Sequence, residues 1–451
     1  MTEPVKNQPA DVSRSLHAVL KPLAKAWLGF SIVVLLMATS LSILDWTQIY
    51  RDANVYLDAA RAMVHGGDIY HTVEGAKSLR PLIYPPAFAA VVGLIIPLGD
   101  PLDAAAWSAS HLALLVFVFW GVARACRLTR LGTMQQFGVL TMMVVFYPAW
   151  REIIEGQANL LTIACLTGGW LLIQRKKDFA GGVLIALATH LKLIPIALLP
   201  LLLMQRNRKA AMGMLAGLVG FIFLPFIWTV QTHGFGAGLT RCLLLTGDWL
   251  GDVLKPALSR DAVGGYVQYH IPNGSFHAVL NRFFGEDTMV WGAEPEWRGP
   301  LLFALPRWLL FGLSMGIPFL MYCGACWLAW VSHRKRLSKA AAIGLAFSAA
   351  QMANMLYWEH HYLGLMLVLG PLFAACYYTR SKAAWFAVLP LFLALTLPSQ
   401  MLIWVVYEID NDKWDWLKLL KMCGAPLISI LVIWWTTFII YARRALRAKG
   451  S

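Results

Sequence analysis

The chain has little charge for its length. Only 14% of its 451 residues are charged, whereas 59% are hydrophobic and the mean hydropathy is +0.60. A soluble fold of this size could not hide so much apolar surface. Apolar runs near the ~20 residues needed to cross a bilayer recur at residues 27–44, 212–227, 301–330 and 427–441. The sequence therefore predicts an all-α polytopic membrane protein.

Cysteine pairs and acidic clusters are equally scarce. The seven cysteines are an odd number, and Cys323 and Cys326 form a lone Cys-x-x-Cys pair within an apolar run. A zinc site needs about four ligands, so this pair favours helix packing, and we expect no structural disulfide. The sequence also has no dense aspartate cluster that would demand a divalent cation. We therefore expect no metal site and no essential cofactor.

The net charge of +14 would suit a nucleic-acid partner, but its distribution argues against one. The basic residues gather in short loops and tails, which is the positive-inside pattern of cytoplasmic segments. We predict cytoplasmic tails at 1–26 and 442–451 around a membrane domain at 27–441, with extracytoplasmic loops at 45–83 and 231–299. The first span is expected to be retained because no small-residue cleavage site follows it.

One segment leaves two paths open. Residues 86–98 are short for a span, and if they dip in and return, Arg124, Arg127 and Arg130 lie in the cytoplasm. If they cross fully, those arginines lie outside. We favour the first path, which puts five polar segments on one outer face: Asp52, Tyr84-Pro85-Pro86, Glu155-Gly156-Gln157, Asn273-Gly274-Ser275 and Glu359-His360-His361. Ionisable groups at one membrane border are a functional-site hypothesis.

In order along the chain, these segments resemble glycosyltransferase family 87, whose members have the GT-C fold and use polyprenyl-phosphate sugars. The elements that carry the resemblance are Asp52 with Val55-Tyr56, Ala59-Ala60, Gly66-Gly67-Asp68-Ile69-Tyr70 and Tyr84-Pro85-Pro86; Glu155-Gly156-Gln157-Ala158-Asn159; Ala180-Gly181 through Lys192 and Pro195; Asn273-x-Ser275 with Arg282; and Trp358-Glu359-His360-His361. The chain departs from the family pattern at Gly274, where a Gln is common.

The resemblance implies a GT-C-type bundle of about 11–13 membrane helices whose extracytoplasmic loops form the active site. It implies Asp52 as the general base, which takes a proton from an acceptor hydroxyl, with Asp58 as the rival. The implied ligands of the donor phosphate are Lys192, Arg282, His360 and His361. The implied sugar or acceptor contacts are Asp58, Gln157, Asn159, Asn273, Ser275 and Glu359.

Most of these residues also have a structural interpretation. Asp52 could pair with Arg51 or cap a helix, and Lys192 could extend to the cytoplasmic interface. Gln157 and Asn159 could bond the start of the next span. Adjacent histidines on a helix point about 100° apart, so we expect only one of His360 and His361 to face a cavity. Tyr84-Pro85-Pro86 is expected to fix the backbone where a helix begins.

By the same resemblance, the protein transfers one sugar with inversion from a polyprenyl-phosphate donor to a lipid or glycan acceptor. Mannose is the favoured sugar and arabinofuranose the alternative. We expect a monomer among the lipids of the inner (plasma) membrane, with its site on the extracytoplasmic face. The rival from another class is a transporter or flippase of lipid-linked sugars, which internal repeats and broken helices would indicate. A second rival is an oligosaccharide ligase or polymerase.

Overall fold

The computed structural model describes the chain in separate stretches, and the structural statements below concern these residues. They are 51–70, 82–133, 135–136, 138–139, 146–255, 273–285, 289–290, 297–298, 302–332, 336–355, 357–395 and 423–447. The predicted N-terminal tail, the first span at 27–44 and parts of the predicted loops at 45–83 and 231–299 lie outside the described residues.

The described residues are almost entirely helical. The helices are α1 (Arg51–Val64), α2 (Pro86–Val92), α3 (Leu102–Ala125), α4 (Tyr147–Glu155), α5 (Asn159–Gln174), α6 (Asp178–Leu191), α7 (Leu198–Met204), α8 (Arg208–Gly220), α9 (Phe226–His233), α10 (Phe235–Asp248), α11 (Phe276–Phe284), α12 (Arg307–Val331), α13 (Arg336–Met352), α14 (Met366–Thr379), α15 (Lys382–Leu395) and α16 (Ala425–Arg447). Turns of 3-10 helix cover Gly93–Leu98, Leu128–Arg130, Ile194–Ala197, Phe221–Phe223 and Glu359–Leu365, and a π-helical turn covers Trp249–Leu254.

Strand pairing in this part of the chain is confined to two residues on each side. Strands β1 (Met289–Val290) and β2 (Trp297–Arg298) are antiparallel, with Met289 opposite Arg298. A pair of this length gives no sheet on which a fold could be built. The predicted all-α class is therefore confirmed.

Five helical stretches are long and apolar enough to cross a membrane, as judged by length and composition within the described ranges. They are Leu102–Ala125, Arg208–His233, Arg307–Val331, Glu359–Tyr378 and Ala425–Arg447. The polytopic membrane architecture is confirmed, whereas the number of 11–13 spans stays a prediction. Shorter apolar helices occupy Pro86–Leu98, Asn159–Gln174, Asp178–Leu191 and Ile194–Met204.

The spans differ in how much of their surface other helices cover. The stretch Glu359–Tyr378 is 89% buried and forms the centre of the bundle, where α14 packs against α3, α13 and α16. By contrast, Arg307–Val331 is only 28% buried and leaves Phe319 and Leu320 63% and 70% exposed. Large apolar side chains exposed along a span are the surface expected to contact lipid.

Glycine allows a close backbone contact between α6 and α8. A Cβ on Gly182 would lie 1.9 Å from the carbonyl oxygen of Ala210, and one on Gly213 would lie 2.1 Å from that of Phe179. Small residues let two helix backbones approach in this way within membrane bundles. The contact sets the position of α6, whose C-terminal end is followed by Lys192.

The chain reverses direction between α2 and α3. The rings of Phe88 and Trp107 lie 6.5 Å apart, and the chain between Leu98 and Leu102 is short. Leu98 therefore lies near the start of α3, about 35 Å from the other end of that helix at a rise of about 1.5 Å per residue. Leu98 lies at the start of α3 on either path, so the turning back of residues 86–98 stays a prediction.

Candidate active site

The carboxylate of Asp52 is held by the side chain of Gln157. Asp52 lies in the first turn of α1, is half-buried, and accepts a hydrogen bond from Nε2 of Gln157. The Oε1 atom of the same amide accepts a hydrogen bond from the Tyr56 hydroxyl at 3.0 Å. Asp52 and Tyr56 are one turn apart on α1, so a single amide can reach both side chains. The Tyr56 contact fixes the amide so that its donor end faces the carboxylate.

The backbone around Gln157 is fixed by α3. Helix α4 ends at Gly156, whose φ of 62° suits glycine, and Gln157 N–H donates back to the carbonyl of Glu152 at 3.0 Å. The Trp107 indole donates to the Gly156 carbonyl at 3.0 Å. The Nε2 atom of His111 lies 2.8 Å from the Gln157 carbonyl. These contacts hold the Gly156-Gln157 turn beside Asp52.

A buried chain of polar groups connects Glu152, Asn159 and Lys192. The fully buried carboxylate of Glu152 accepts hydrogen bonds from Nδ2 of Asn159 at 2.9 Å and from the Leu160 N–H at 2.6 Å. The other end of the Asn159 amide, Oδ1, accepts a hydrogen bond from the Lys192 ammonium. The amide therefore bridges an acid and a base that do not bond each other directly.

The charges of Glu152 and Lys192 in this hydrogen-bonded group depend on each other. Burial raises the pKa of Glu152 to about 7, an effect opposed by hydrogen bonds from Asn159 and Leu160 and by the charge of Lys192. Burial lowers the pKa of Lys192 to about 8, opposed by the carboxylates of Glu152 and Asp52. Removing either charge would leave the other buried with less compensation. Asp52 and Lys192 thus act on each other electrostatically.

Lys192 lies inside the bundle. It follows α6 in an extended conformation, is 8% exposed, and its ammonium lies 5.9 Å from the centre of the Tyr84 ring. A cation at this distance from an aromatic face is attracted by the ring. Together with the bond to Asn159, this placement directs the charge to the Asp52 neighbourhood instead of to the cytoplasmic interface.

Aromatic side chains form one wall of this neighbourhood. The hydroxyl oxygens of Tyr56 and Tyr84 lie 3.3 Å apart, and the Tyr70 hydroxyl donates to the Tyr84 carbonyl at 3.1 Å. Phe88 packs edge-on against Tyr56 at 4.9 Å. Burial raises the pKa of both Tyr56 and Tyr84, so their hydroxyls stay protonated. Pro86 is the first residue of α2, as predicted for a proline that sets the start of a helix.

The two predicted histidines lie in the turn Glu359–Leu365, which packs against α4. Nδ1 of His361 accepts a hydrogen bond from the Trp358 N–H at 2.9 Å, so this nitrogen caps the turn. His360 is more exposed than His361 and lies within range of the positive charges of Lys192 and Arg151. His360 makes no hydrogen bond in the described part of the chain. Of the two, His360 is therefore better placed to meet a ligand.

Buried side chains of the Asn273–Arg282 segment bond backbone groups of loops. Oδ1 of Asn273 accepts from the Ser275 N–H at 3.0 Å and from the Tyr357 N–H at 3.1 Å. Ser275 caps α11, and the Arg282 guanidinium donates to the carbonyls of Asn273 and Ala278. Asn273, Ser275 and Arg282 are each 0% exposed, and the bond from Tyr357 joins their segment to the chain before the Glu359–Leu365 turn. The predicted contact of Arg282 with the donor phosphate stays a prediction.

The departure from the family pattern at position 274 has a local cause. A Cβ on Gly274 would lie 1.8 Å from the hydroxyl oxygen of Tyr362, and the Gly274 N–H donates to the Tyr357 carbonyl at 2.9 Å. A Gln at this position would require Tyr362 to move. Gly274 and Tyr362 therefore fit each other.

Two predicted acids lie in other surroundings. The Asp58 carboxylate is 3.0 Å from Arg61, which also contacts the buried Asp103 at 2.7 Å. Asp58 is therefore part of an ion-pair network on a face of α1 that differs from the face of Asp52. Glu359 is 7% exposed in the first turn of Glu359–Leu365. Their predicted contacts with sugar or acceptor stay predictions, as do those of Gln157, Asn159, Asn273 and Ser275.

Sequence reasoning missed Glu152, Arg151 and His111. Glu152 is the buried partner of the Lys192 chain, and Arg151 forms an ion pair with Glu155 within range of His360. A signal was present, because Arg151-Glu152 interrupts the approach to the Gly-Gln-x-Asn element with two charges. In the described ranges, no group of three His, Cys, Asp or Glu side chains is arranged to hold a metal ion.

A family model described as glycosyltransferase family 87 matches residues 82–246. This is the family that the motifs resemble, and the matched segment contains the Gly156–Asn159 turn, Glu152 and Lys192. No curated protein and no solved structure matches the chain.

Proposed function

The match to glycosyltransferase family 87 over residues 82–246 implies a membrane glycosyltransferase, and from that premise we propose that the protein transfers a single sugar from a polyprenyl-phosphate donor. The proposed acceptor is a hydroxyl of a lipid or glycan. The favoured sugar is mannose, and the proposed site is on the extracytoplasmic face of the inner membrane. Asp52 and Lys192 carry the chemistry in this proposal.

One observation carries the proposal: a carboxylate and an ammonium converge on the same short turn. Asp52 bonds Gln157 and Lys192 bonds Asn159, two residues apart in the Gly-Gln-x-Asn element. Glycosyl transfer from a lipid phosphate needs a group that accepts a proton and a cation that stabilises the departing phosphate. Asp52 supplies the first and Lys192 the second.

The reaction is a single in-line displacement. The Asp52 carboxylate takes the proton of the acceptor hydroxyl as its oxygen forms a bond to the anomeric carbon. The bond between that carbon and the phosphate oxygen breaks, and its electron pair leaves with the polyprenyl phosphate. One base and no covalent sugar intermediate give inversion, so a β-linked donor yields an α-glycoside.

Lys192 and His360 are the proposed contacts of the leaving phosphate. The Lys192 charge acts on His360, and the ammonium would act as a point charge for phosphate oxygens. Asn159 and Glu152 keep that ammonium charged and directed before the donor arrives. Arg282 has a smaller part in this proposal, because its guanidinium is fully buried on loop carbonyls.

The experiment is sugar transfer in membranes that contain the full-length protein. Radiolabelled polyprenyl-phosphate mannose and polyprenyl-phosphate arabinofuranose are supplied separately with a lipid extract of the native host, with and without a chelator. Transfer of mannose that resists the chelator supports the proposal. If neither donor gives product, the transporter and ligase interpretations replace it.

Two isosteric variants test the base. Asp52→Asn keeps the shape of the side chain and removes its charge, so we expect transfer to fall by about 10²–10⁴-fold at equal protein level. Asp58→Asn is the matched control from the same helix and should retain activity within about threefold, since Asp58 serves an ion pair near the surface. Equal activity of Asp52→Asn and the wild type would exclude Asp52 as the base. A large loss in Asp58→Asn alone would transfer the role to Asp58.

A further inference from the structure

Four exposed arginines meet at the opposite end of α3 from the Asp52 site. Arg124 lies in the last turn of α3, Arg127 and Arg130 lie in the short turn that follows, and Arg336 begins α13. A guanidinium nitrogen of Arg336 lies 3.4 Å from the Arg124 carbonyl, although 212 residues separate the two in sequence. We call these four residues the arginine cluster.

The cluster rests on a rigid frame of helix ends. Arg336 also donates to Oε1 of Gln174, whose Nε2 donates to the Ala125 carbonyl at 3.2 Å. The hydroxyl of Tyr378 donates to the Arg127 carbonyl. The ends of α3, α5 and α14 and the beginning of α13 therefore fix the backbone beneath the four side chains.

Positive charges are brought together in this cluster. Within the described ranges, none of the four guanidinium groups is part of an ion pair. Burial, followed by repulsion from Arg127, Arg130 and Arg124, lowers the pKa of Arg336. The positive-inside rule needs basic residues in a loop, but it does not need two distant loops to converge. The four arginine side chains together therefore form a suitable binding site for an anion.

An exposed apolar stripe leads up to the cluster along α3. Val116 and Trp120 are 59% and 45% exposed, and they precede Arg124 at intervals of four residues, which places all three on one helix face. The Arg124 guanidinium lies 5.9 Å from the Trp120 ring. Tryptophan beside a basic residue at the end of a span is the arrangement found at the headgroup level of a bilayer.

We propose that the arginine cluster binds the phosphate headgroup of an anionic phospholipid, with an acyl chain lying along Val116 and Trp120. Guanidinium groups bind phosphate oxygens as two-pronged forks, and basic pockets between membrane helices bind anionic lipid headgroups. The apolar stripe selects a lipid over a free phosphate, because only a lipid fills the stripe and the cluster together. This inference does not depend on the proposed sugar transfer.

The test is lipid retention by the purified full-length protein in native mass spectrometry. Phosphatidylglycerol is titrated against phosphatidylcholine with the same acyl chains, and soluble glycerol phosphate is added as a competitor. In the cluster variant, Arg124, Arg127, Arg130 and Arg336 are each replaced by Gln. In the matched control, Lys177, Arg206, Arg208 and Lys209 are each replaced by Gln, so four positive charges are lost in both proteins.

We expect phosphatidylglycerol to bind the cluster variant at least about tenfold more weakly than the wild type, and the control within about threefold. A further variant with Lys at all four cluster positions keeps the charge and the topology signal, and we expect it to bind more weakly than the wild type because it lacks the forks. Equal losses in the cluster variant and the control would overturn the proposal. So would equal retention of phosphatidylcholine, or displacement of the lipid by glycerol phosphate.

Discussion

Asp52 and Lys192, with the amides that bond them, form one region, and the Asn273–Arg282 segment forms another; both resemble motifs of glycosyltransferase family 87, but their side chains have different surroundings. In the first, the half-buried Asp52 carboxylate and the Lys192 ammonium are held by amides beside an aromatic wall. In the second, Asn273, Ser275 and Arg282 are fully buried and bond backbone groups, those of their own loop and, for Asn273, also that of Tyr357. Similar motifs therefore contain side chains in two kinds of surroundings, and burial together with bonding partners distinguishes the groups that we propose to react from those that hold the backbone.

The largest expected difference comes from removing one cation from each region. Lys192→Gln keeps a polar side chain but loses the charge for the leaving phosphate, so we expect kcat/KM to fall by about 100-fold or more. Arg282→Gln removes hydrogen bonds to loop carbonyls and should cost about 1–3 kcal/mol of stability. The folded fraction of Arg282→Gln should keep its kcat/KM within a few-fold.

The kinetics of sugar transfer and the thermal unfolding temperature are measured for both variants in the same detergent and compared with the wild type. The comparison would be reversed if Arg282→Gln unfolded at the wild-type temperature yet lost transfer. It would also fail if Lys192→Gln lost stability and kept transfer.

The next largest effect is a dependence of kcat/KM on pH, which we expect from Lys192 and not from Arg282. The pKa of Lys192 is lowered to about 8, so its ammonium is charged below that pH and becomes neutral as the pH rises through it. We expect kcat/KM to fall about tenfold per pH unit above this point. Because the Glu152 charge raises the pKa of Lys192, Glu152→Gln should move the fall to lower pH. Lys192→Arg should move it to higher pH.

Profiles of kcat/KM against pH for the three proteins check this assignment. An identical alkaline limb in all three would show that another group titrates. A matched profile of Arg282→Gln should keep the wild-type limb, because Arg282 belongs to the Asn273–Arg282 region.

The smallest effect concerns the fit between Gly274 and Tyr362. Gly274→Gln introduces the residue common in glycosyltransferase family 87, which the motif resembles, but places a Cβ against the Tyr362 hydroxyl, so we expect a loss of about 1–3 kcal/mol of stability. Tyr362→Phe removes the hydroxyl, and the double variant should recover part of this loss. Unfolding temperatures of the two single variants and the double variant give the coupling between the sites. Purely additive losses would show that the two positions do not constrain each other.

The sequence predicted the helical segments well where apolar runs were bounded by strong signals. The apolar runs at 301–330 and 427–441 correspond to α12 and α16, because basic residues follow both runs. The polar chain was harder to predict. Glu152 and Lys192 are joined only through Asn159, and a sequence does not show which distant side chains an amide will bridge. The bonds of Asn273 and Arg282 to backbone groups likewise depend on their burial, which cannot be predicted from residue type alone.

The backbone contact between α6 and α8 makes the distance between two helices a determinant of where a charge lies. Gly182 and Gly213 touch no part of the Asp52 neighbourhood, yet a single methyl group at either position would push α6 outward and take Lys192 with it. Because these two glycines have no side chain, the backbones of α6 and α8 can lie in direct contact. The contact puts no constraint on the lipid-facing side of α8, but both positions must lack a side chain for the Lys192 ammonium to remain in reach of the Gly156–Asn159 turn.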